Sequence, residues 1–256
     1  MTLSISSREI KEIIGMIDDS QLDQVHSFVI FVGHAHSGHS IIGALLDAHP
    51  EVAISNEMNV PKLILDHDLN EETLQKLVLS HTLNHSLWVN TGYKYHVENA
   101  YQGKTRFPKV LGDKKGGGST RIIRNNPWVL DRLHEIFADK LKFINVVRNP
   151  KDNIAAFAHY WGDTEVTQKH VDRYLENLET TTEIEKRFPN HFFRLEHSDF
   201  IENPVNEYMK ILHFLGLIAD MNQVTNWLSL VRKKENKRSE TIIWRKDINF
   251  NDSTEL

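Results

Sequence analysis

FVIFVGHAHSGHSIIGALLDAHP, residues 28–50, decides the fold. Its first five residues, 28–32, are an apolar run suited to a strand buried on both faces. Ile41, Ile42, Ala44, Leu45 and Leu46 then supply a buried helix, which His49 and Pro50 stop. Between strand and helix lies a loop bounded by Gly33 and Gly38. Glycines let the chain turn tightly and aim several N–H groups at one point, and the helix start adds its positive end. Gly33, four residues, then Gly38, His39 and Ser40 reproduce the spacing of the phosphate-binding P-loop, with histidine where that motif has lysine. The stretch reads as a cradle for phosphate or sulfate, against the plainer reading of a tight structural turn.

Outward from this stretch, further apolar runs mark strands at residues 52–54, 110–111, 143–147 and 192–195. Helical spacing appears at Leu74, Leu77 and Val78, at Val129, Leu133, Ile136 and Phe137, and at Val205, Tyr208, Met209, Leu212 and Leu215. Strands alternating with helices imply an α/β fold, a three-layer P-loop-like arrangement with a mainly parallel sheet between helices. The 256 residues, 40% hydrophobic, suffice for one core and are read as a single domain. Within it stand an N-terminal helical extension (1–26), the loop and helix (28–50), a second strand–helix unit (142–160) and a basic C-terminal segment (231–256). Asn149 suits an N-cap with Pro150 at the first helical position, and Gly216 closes the helix that begins near Pro204. Residues 97–119 are the least regular, and Gly116, Gly117 and Gly118 mark a flexible or close-approach loop.

Composition narrows the function. With no cysteine, a disulfide framework, a thiolate zinc site and a cysteine nucleophile are all excluded. A formal charge of −5 argues against broad nucleic-acid binding, which needs a basic face. No secretory signal pattern and no apolar stretch long enough to cross a bilayer is present, so the expectation is a soluble cytoplasmic protein with no membrane partner.

A second signal, FINVVRNPKDNIAAFAHY (143–160), is again a buried strand that ends in charge and enters a helix. With the first it resembles the sulfotransferase superfamily, closest to bacterial sulfotransferases and tyrosylprotein sulfotransferase-like enzymes. The resemblance implies that the loop residues His36, Ser37, Gly38, His39 and Ser40 hold the 5′-phosphosulfate of the donor PAPS, while Arg148 holds its 3′-phosphate. LLDAHPEVAISNE is similar to the family's segment that carries the general base, here Glu57. VLGDKKG looks like the strand end whose lysine faces the transferred group, placing Lys114, or else Lys115, there. FRLEHSDFIENPVNEYMKILHFLGL matches the strand and helix that follow, with His197 in place of the tyrosine beside the adenine. In VRKKENKRSETIIW, Lys237 or Arg238 stands where a basic segment covers the 3′-phosphate.

The implied reaction moves a sulfuryl group from PAPS to an acceptor oxygen or nitrogen, leaves PAP, and requires no metal. Departures from the pattern lie at the donor site. His36 replaces arginine or lysine, and carries charge only when protonated, which a bound polyanion favours. His39 replaces a small hydroxyl residue, and Ala156 a serine that contacts the 3′-phosphate. An ATP-dependent P-loop phosphotransferase and a catalytically weakened PAPS/PAP-binding protein are the rival readings. His34, His36 and His39 invite a metal site, but neighbouring loop residues diverge and no carboxylate pair completes one. Glu57 has a plainer reading as a helix-entry residue. The acceptor pocket is expected from residues 59–103, where Trp88, Tyr93, Tyr95 and Tyr101 suit small-molecule, sugar or peptide acceptors alike.

Overall fold

The computed structural model describes residues 5–84, 95–231 and 238–248. In chain order the strands are β1 (Ser27–Gly33), β2 (Val52–Asn56), β3 (Val110–Lys114), β4 (Leu141–Val147), β5 (Glu165–Val166), β6 (Phe192–Glu196) and β7 (Ile243–Trp244). The helices are α1 (Ser7–Ile14), α2 (His39–Asp47), α3 (Val60–Asp66), α4 (Glu71–Leu83), α5 (Gly117–Asn125), α6 (Trp128–Phe137), α7 (Pro150–Tyr160), α8 (Gln168–Arg187), α9 (His197–Glu202), α10 (Pro204–Phe214) and α11 (Met221–Trp227).

Five strands form one sheet in the order β2-β3-β1-β4-β6, and every pair is parallel. β1 lies at its centre with all seven residues buried, as its unbroken apolar run requires. Its side chains alternate between two cores. Phe28, Ile30 and Val32 join α4 and α6 on one face, and Val29 and Phe31 join α2 and α10 on the other. Phe28 stacks on Phe137 with ring centroids 3.9 Å apart, and the buried Tyr208 hydroxyl donates to the Leu45 carbonyl at 2.7 Å, tying α10 to α2. β5 and β7 form a separate two-stranded sheet beside α7 and α8.

Helix boundaries follow local chemistry. Asn149 accepts the Asp152 N–H at the head of α7, with Pro150 as the first helical residue, and Gly216 (φ 71°) follows the end of α10. The three glycines are places of close approach, as a Cβ at Gly117 would stand 2.8 Å from the Ala35 nitrogen, but Gly117 and Gly118 open α5 and only Gly116 (φ 52°) remains in the turn. The stretch 97–119 also contains the whole of β3.

The strand order fixes where a ligand can sit. After β1 the chain turns toward β2, whereas after β4 it turns toward β6, so the loops leaving these adjacent strands part and open a crevice at their carboxyl ends. The crevice is walled by residues 34–38 on one side and by Arg148 on the other.

Candidate active site

The loop after β1 is built inside out. Ser37 and His39 are buried, and their side chains turn beneath the loop rather than toward its mouth. The His39 ring lies between Val32, whose carbonyl is 2.8 Å from Nε2, and the Ser37 hydroxyl, 2.9 Å from Nδ1. Burial lowers its pKa to about 3, so the ring is neutral, with Nε2–H donating to the Val32 carbonyl, while the Ser37 hydroxyl beside Nδ1 donates to the His34 carbonyl at 2.9 Å. Space for this ring requires glycine at 116, where a Cβ would stand 2.7 Å from His39 Nδ1; at Gly33 a Cβ would instead collide with Asn145 Oδ1. The Ser37 and His39 side chains are therefore turned away from the mouth of the loop. The amide of His39 belongs to the unpaired first turn of α2, and Gly38 (φ 108°) shapes the approach to it. The neutral, buried ring also lacks the charge that a P-loop lysine brings to an ATP phosphate.

His36 faces outward, next to the exposed Ala35. It is exposed, adopts φ 64°, and its ring lies 4.8 Å from that of Tyr160. A left-handed conformation at a non-glycine residue is strained and persists where its surroundings hold it. Here Arg148 Nη1 donates to the His36 carbonyl at 3.3 Å, and Asn153 Nδ2 donates to the Ala35 carbonyl at 2.9 Å. Arg148 thus reaches the loop across the crevice, and the two corners singled out in the sequence share one cleft. His197, first residue of α9, packs on the loop from above, with its Cδ2 2.8 Å from where a Cβ on Gly38 would be. His34 points elsewhere: its Nε2 lies 2.9 Å from the Tyr174 carbonyl, and its ring stacks on Tyr174 at 3.9 Å. The three loop histidines accordingly diverge, and among the described residues no metal-binding group of three is gathered.

The second half of the site is made of charged side chains at the ends of β2 and β3. Glu57 N–H donates to the Lys114 carbonyl at 2.9 Å, extending the β2–β3 ladder by one residue and placing the acid beside both lysines. Lys114 Nζ donates to Glu57 Oε1 at 2.5 Å and to Ser40 Oγ at 3.0 Å, and Lys115 pairs with the other Glu57 oxygen. Both candidate lysines therefore face the acid, while Lys114 alone links it to the loop through Ser40. Burial pushes the Glu57 carboxyl up, but the two ammonium groups outweigh it and hold the pKa below the ordinary value. Glu57 is a carboxylate at neutral pH.

Sequence reasoning missed the residue that holds this acid in place. Asp113, wholly buried in β3, accepts from the Ser55 hydroxyl at 2.8 Å and from the amides of Met58, Asn59 and Val60 at 3.0, 2.8 and 3.2 Å. These bonds fix a turn in which Glu57 (φ 68°) and Asn59 (φ 67°) both adopt the left-handed conformation. A carboxylate following the apolar start of the strand was the available signal, since such a group is buried only when its oxygens are satisfied.

On the far side of Arg148, α7 meets the C-terminal segment. Asp152 accepts the Ser239 N–H at 2.9 Å and its hydroxyl at 2.6 Å, one helical turn before Ala156. The short 3-10 turn Arg238–Glu240 is thereby docked on α7. Lys237 lies outside the described residues, as do Trp88 and Tyr93. No helix among the described residues is long and apolar enough to cross a membrane.

A sequence model of the sulfotransferase family matches residues 29–220, most of the chain. No curated protein matches it. Among solved structures, the chain resembles sulfotransferase STF9 from Mycobacterium avium, with 12% identity, a TM-score of 0.51, and 86% of this chain and 72% of that chain covered. It also resembles the sulfotransferase domain from the curacin biosynthetic pathway, with 13% identity, a TM-score of 0.50, and coverage of 86% and 84%.

Proposed function

Because the chain belongs to the sulfotransferase family, we propose that it transfers a sulfuryl group from PAPS to a hydroxyl or amine of an acceptor and releases PAP. The observation that carries this reading is the meeting of Arg148 with the loop at the His36 carbonyl, while Lys114 joins Glu57 to Ser40 on the same loop.

In this scheme the amides of residues 37–40 hold the 5′-phosphosulfate, and Arg148 holds the 3′-phosphate with a planar guanidinium suited to it. His197 borders the adenine, and the docked segment with Lys237 or Arg238 covers the 3′-phosphate that Ala156 cannot bond. The acceptor oxygen attacks sulfur as the bond from sulfur to the 5′-phosphate oxygen breaks. The acceptor proton passes to Glu57, and the electron pair of the broken bond stays on the departing phosphate of PAP. His36, when protonated, and Lys114 stabilise charge on the sulfuryl and bridging oxygens. Since Glu57 is held between two ammonium groups, Lys114 turns from it toward the sulfuryl group as the donor enters, and Lys115 remains as its counter-ion. The positioned carboxylate then takes the proton late, as the acceptor oxygen loses charge to sulfur.

The test is calorimetric titration of the wild type and of Arg148→Ala with PAP, without magnesium. PAP binding that falls roughly a hundredfold in the variant supports the reading. Binding of ATP only, and only with magnesium, overturns it in favour of a phosphotransferase. PAP binding without sulfuryl transfer to any acceptor leaves a nucleotide-binding protein.

A further inference from the structure

The molecule holds a cavity of about 160 Å³ of whose lining the donor scheme uses His36 alone. Phe157, Tyr160 and Trp161 of α7 line one wall, and Arg121 of α5 and Arg173 of α8 line the others. Tyr160 and Trp161 are 67% and 63% exposed, a large apolar rim left open to solvent. The volume is close to that of a cavity able to hold one six-membered ring.

The two arginines give this cavity its sign. The neighbouring Arg124 is already engaged, by Glu176 at 2.7 Å and Asn177 at 3.0 Å. Among the described residues, neither Arg121 nor Arg173 has an ion pair with a carboxylate. Arg173 instead lies over the Phe157 ring at 4.4 Å, which holds its guanidinium at the wall without neutralising it. Two like charges at one small cavity repel each other, an arrangement that an anion would relieve.

The faces of α7 separate this cavity from the donor. Asp152 bonds the C-terminal segment, and Ala156 follows it at helical spacing on the side where the proposed 3′-phosphate lies. Asn153, Phe157 and Tyr160 follow at helical spacing on a different face and meet the cavity. His36 belongs to both the anion loop and the cavity wall, so a ring in the cavity sits next to the transfer point. Gly118 also lines the cavity, and Lys115 packs against it, with its Cγ 2.5 Å from where a Cβ would be.

We infer that this cavity takes the acceptor, and that the acceptor is a ring compound bearing its own anionic group, a carboxylate, phosphate or sulfate, paired with Arg121 and Arg173. The inference rests on the sulfotransferase reading for what happens to the bound molecule, but not for the cavity's preference for charge.

The test compares two isosteric probes, 4-hydroxybenzoate and its neutral amide, titrated into the protein alone and into its PAP complex. The benzoate should bind roughly tenfold more tightly than the amide in both, and together with PAP rather than in competition with it. Arg121→Gln and Arg173→Gln should each erase that preference while leaving PAP affinity within about twofold of wild type. Arg121 is exposed, so its variant retains the fold even if the Arg173 variant does not. Equal affinities for the two probes, binding of neither, or displacement of the benzoate by PAP overturns the inference. Failure to bind PAP overturns the sulfotransferase reading, and the probe ratio in the nucleotide-free protein still judges the cavity.

Discussion

The loop after β1 and the paired ends of β2 and β3 face one cleft but are made by opposite means. In the loop, Ser37 and His39 bury their side chains in its own support, and what remains at the surface is main chain with the His36 side chain. At the strand ends, Glu57, Lys114 and Lys115 present charged side chains, while the main chain is consumed by the ladder and by Asp113. An anion that only has to be held is met by fixed amides, which need no reorganisation. Chemistry in which charge moves needs groups that can change partners. The same contrast explains the tolerance of histidine at position 39, where the ring acts on the loop and not on the ligand.

The largest effect should come from the movable corner. Lys114→Ala is expected to lower kcat about a thousandfold with PAP affinity nearly unchanged, whereas Lys115→Ala lowers kcat only about tenfold. Steady-state kinetics on both variants would break the comparison if the two losses were equal. Next, Asp113→Ala should destabilise the fold by about 2–4 kcal/mol in urea titration, since it leaves three amides and the Ser55 hydroxyl without their acceptor. A stability change below about 0.5 kcal/mol would remove Asp113 as the support of the Glu57 turn.

The buried corner predicts an acid response. Burial lowers the pKa of His34 to about 4, of His39 to about 3 and of His81 to about 4. Unfolded histidine takes up a proton below about pH 6.5 and these folded rings do not, so their stabilisation is present above that pH and is lost as pH falls toward the folded values. Each should remove about 2 kcal/mol between pH 7 and pH 5. Urea titrations at those two pH values read the slope, and a flat profile would mean that the rings protonate freely in the native state. The smallest effect is expected at the docked segment, where Ser239→Ala loses the hydroxyl bond to Asp152 and should weaken PAP binding about threefold. Unchanged PAP binding in that variant, and in a chain ended after residue 230, would detach the segment from the donor.

Much of this site was legible in order but not in role. The spacing of Gly33 and Gly38, the apolar run of β1 and the Asn149–Pro150 helix start are local signals, because they arise from turn geometry and burial period along a few residues. α8 shows the converse. Its twenty residues are the longest helix among the described residues, yet its buried stripe of Val171, Tyr174 and Ile184 is interrupted by His170, Asn177, Thr180 and Thr181, so no apolar period announced it. Arg121 and Arg173 were equally silent, since an arginine on a charged helix looks like a solvated one until another helix brings a cavity against it. Glu57, Lys114 and Arg148 could be nominated by motif, but their partners could not.

What this chain settles by itself is the alternation of strands and helices and the glycine-bounded turn after β1, because backbone preference and hydrophobic period act over neighbouring residues. What only the folded molecule decides is which side chains reach the cleft. His39 turns inward because Gly116 leaves room for its ring and the Val32 carbonyl accepts from it, and Ser37 turns inward to the His34 carbonyl. Arg148 and Lys114 reach the loop because a parallel sheet sets strands distant in sequence side by side, so that their carboxyl ends share one edge.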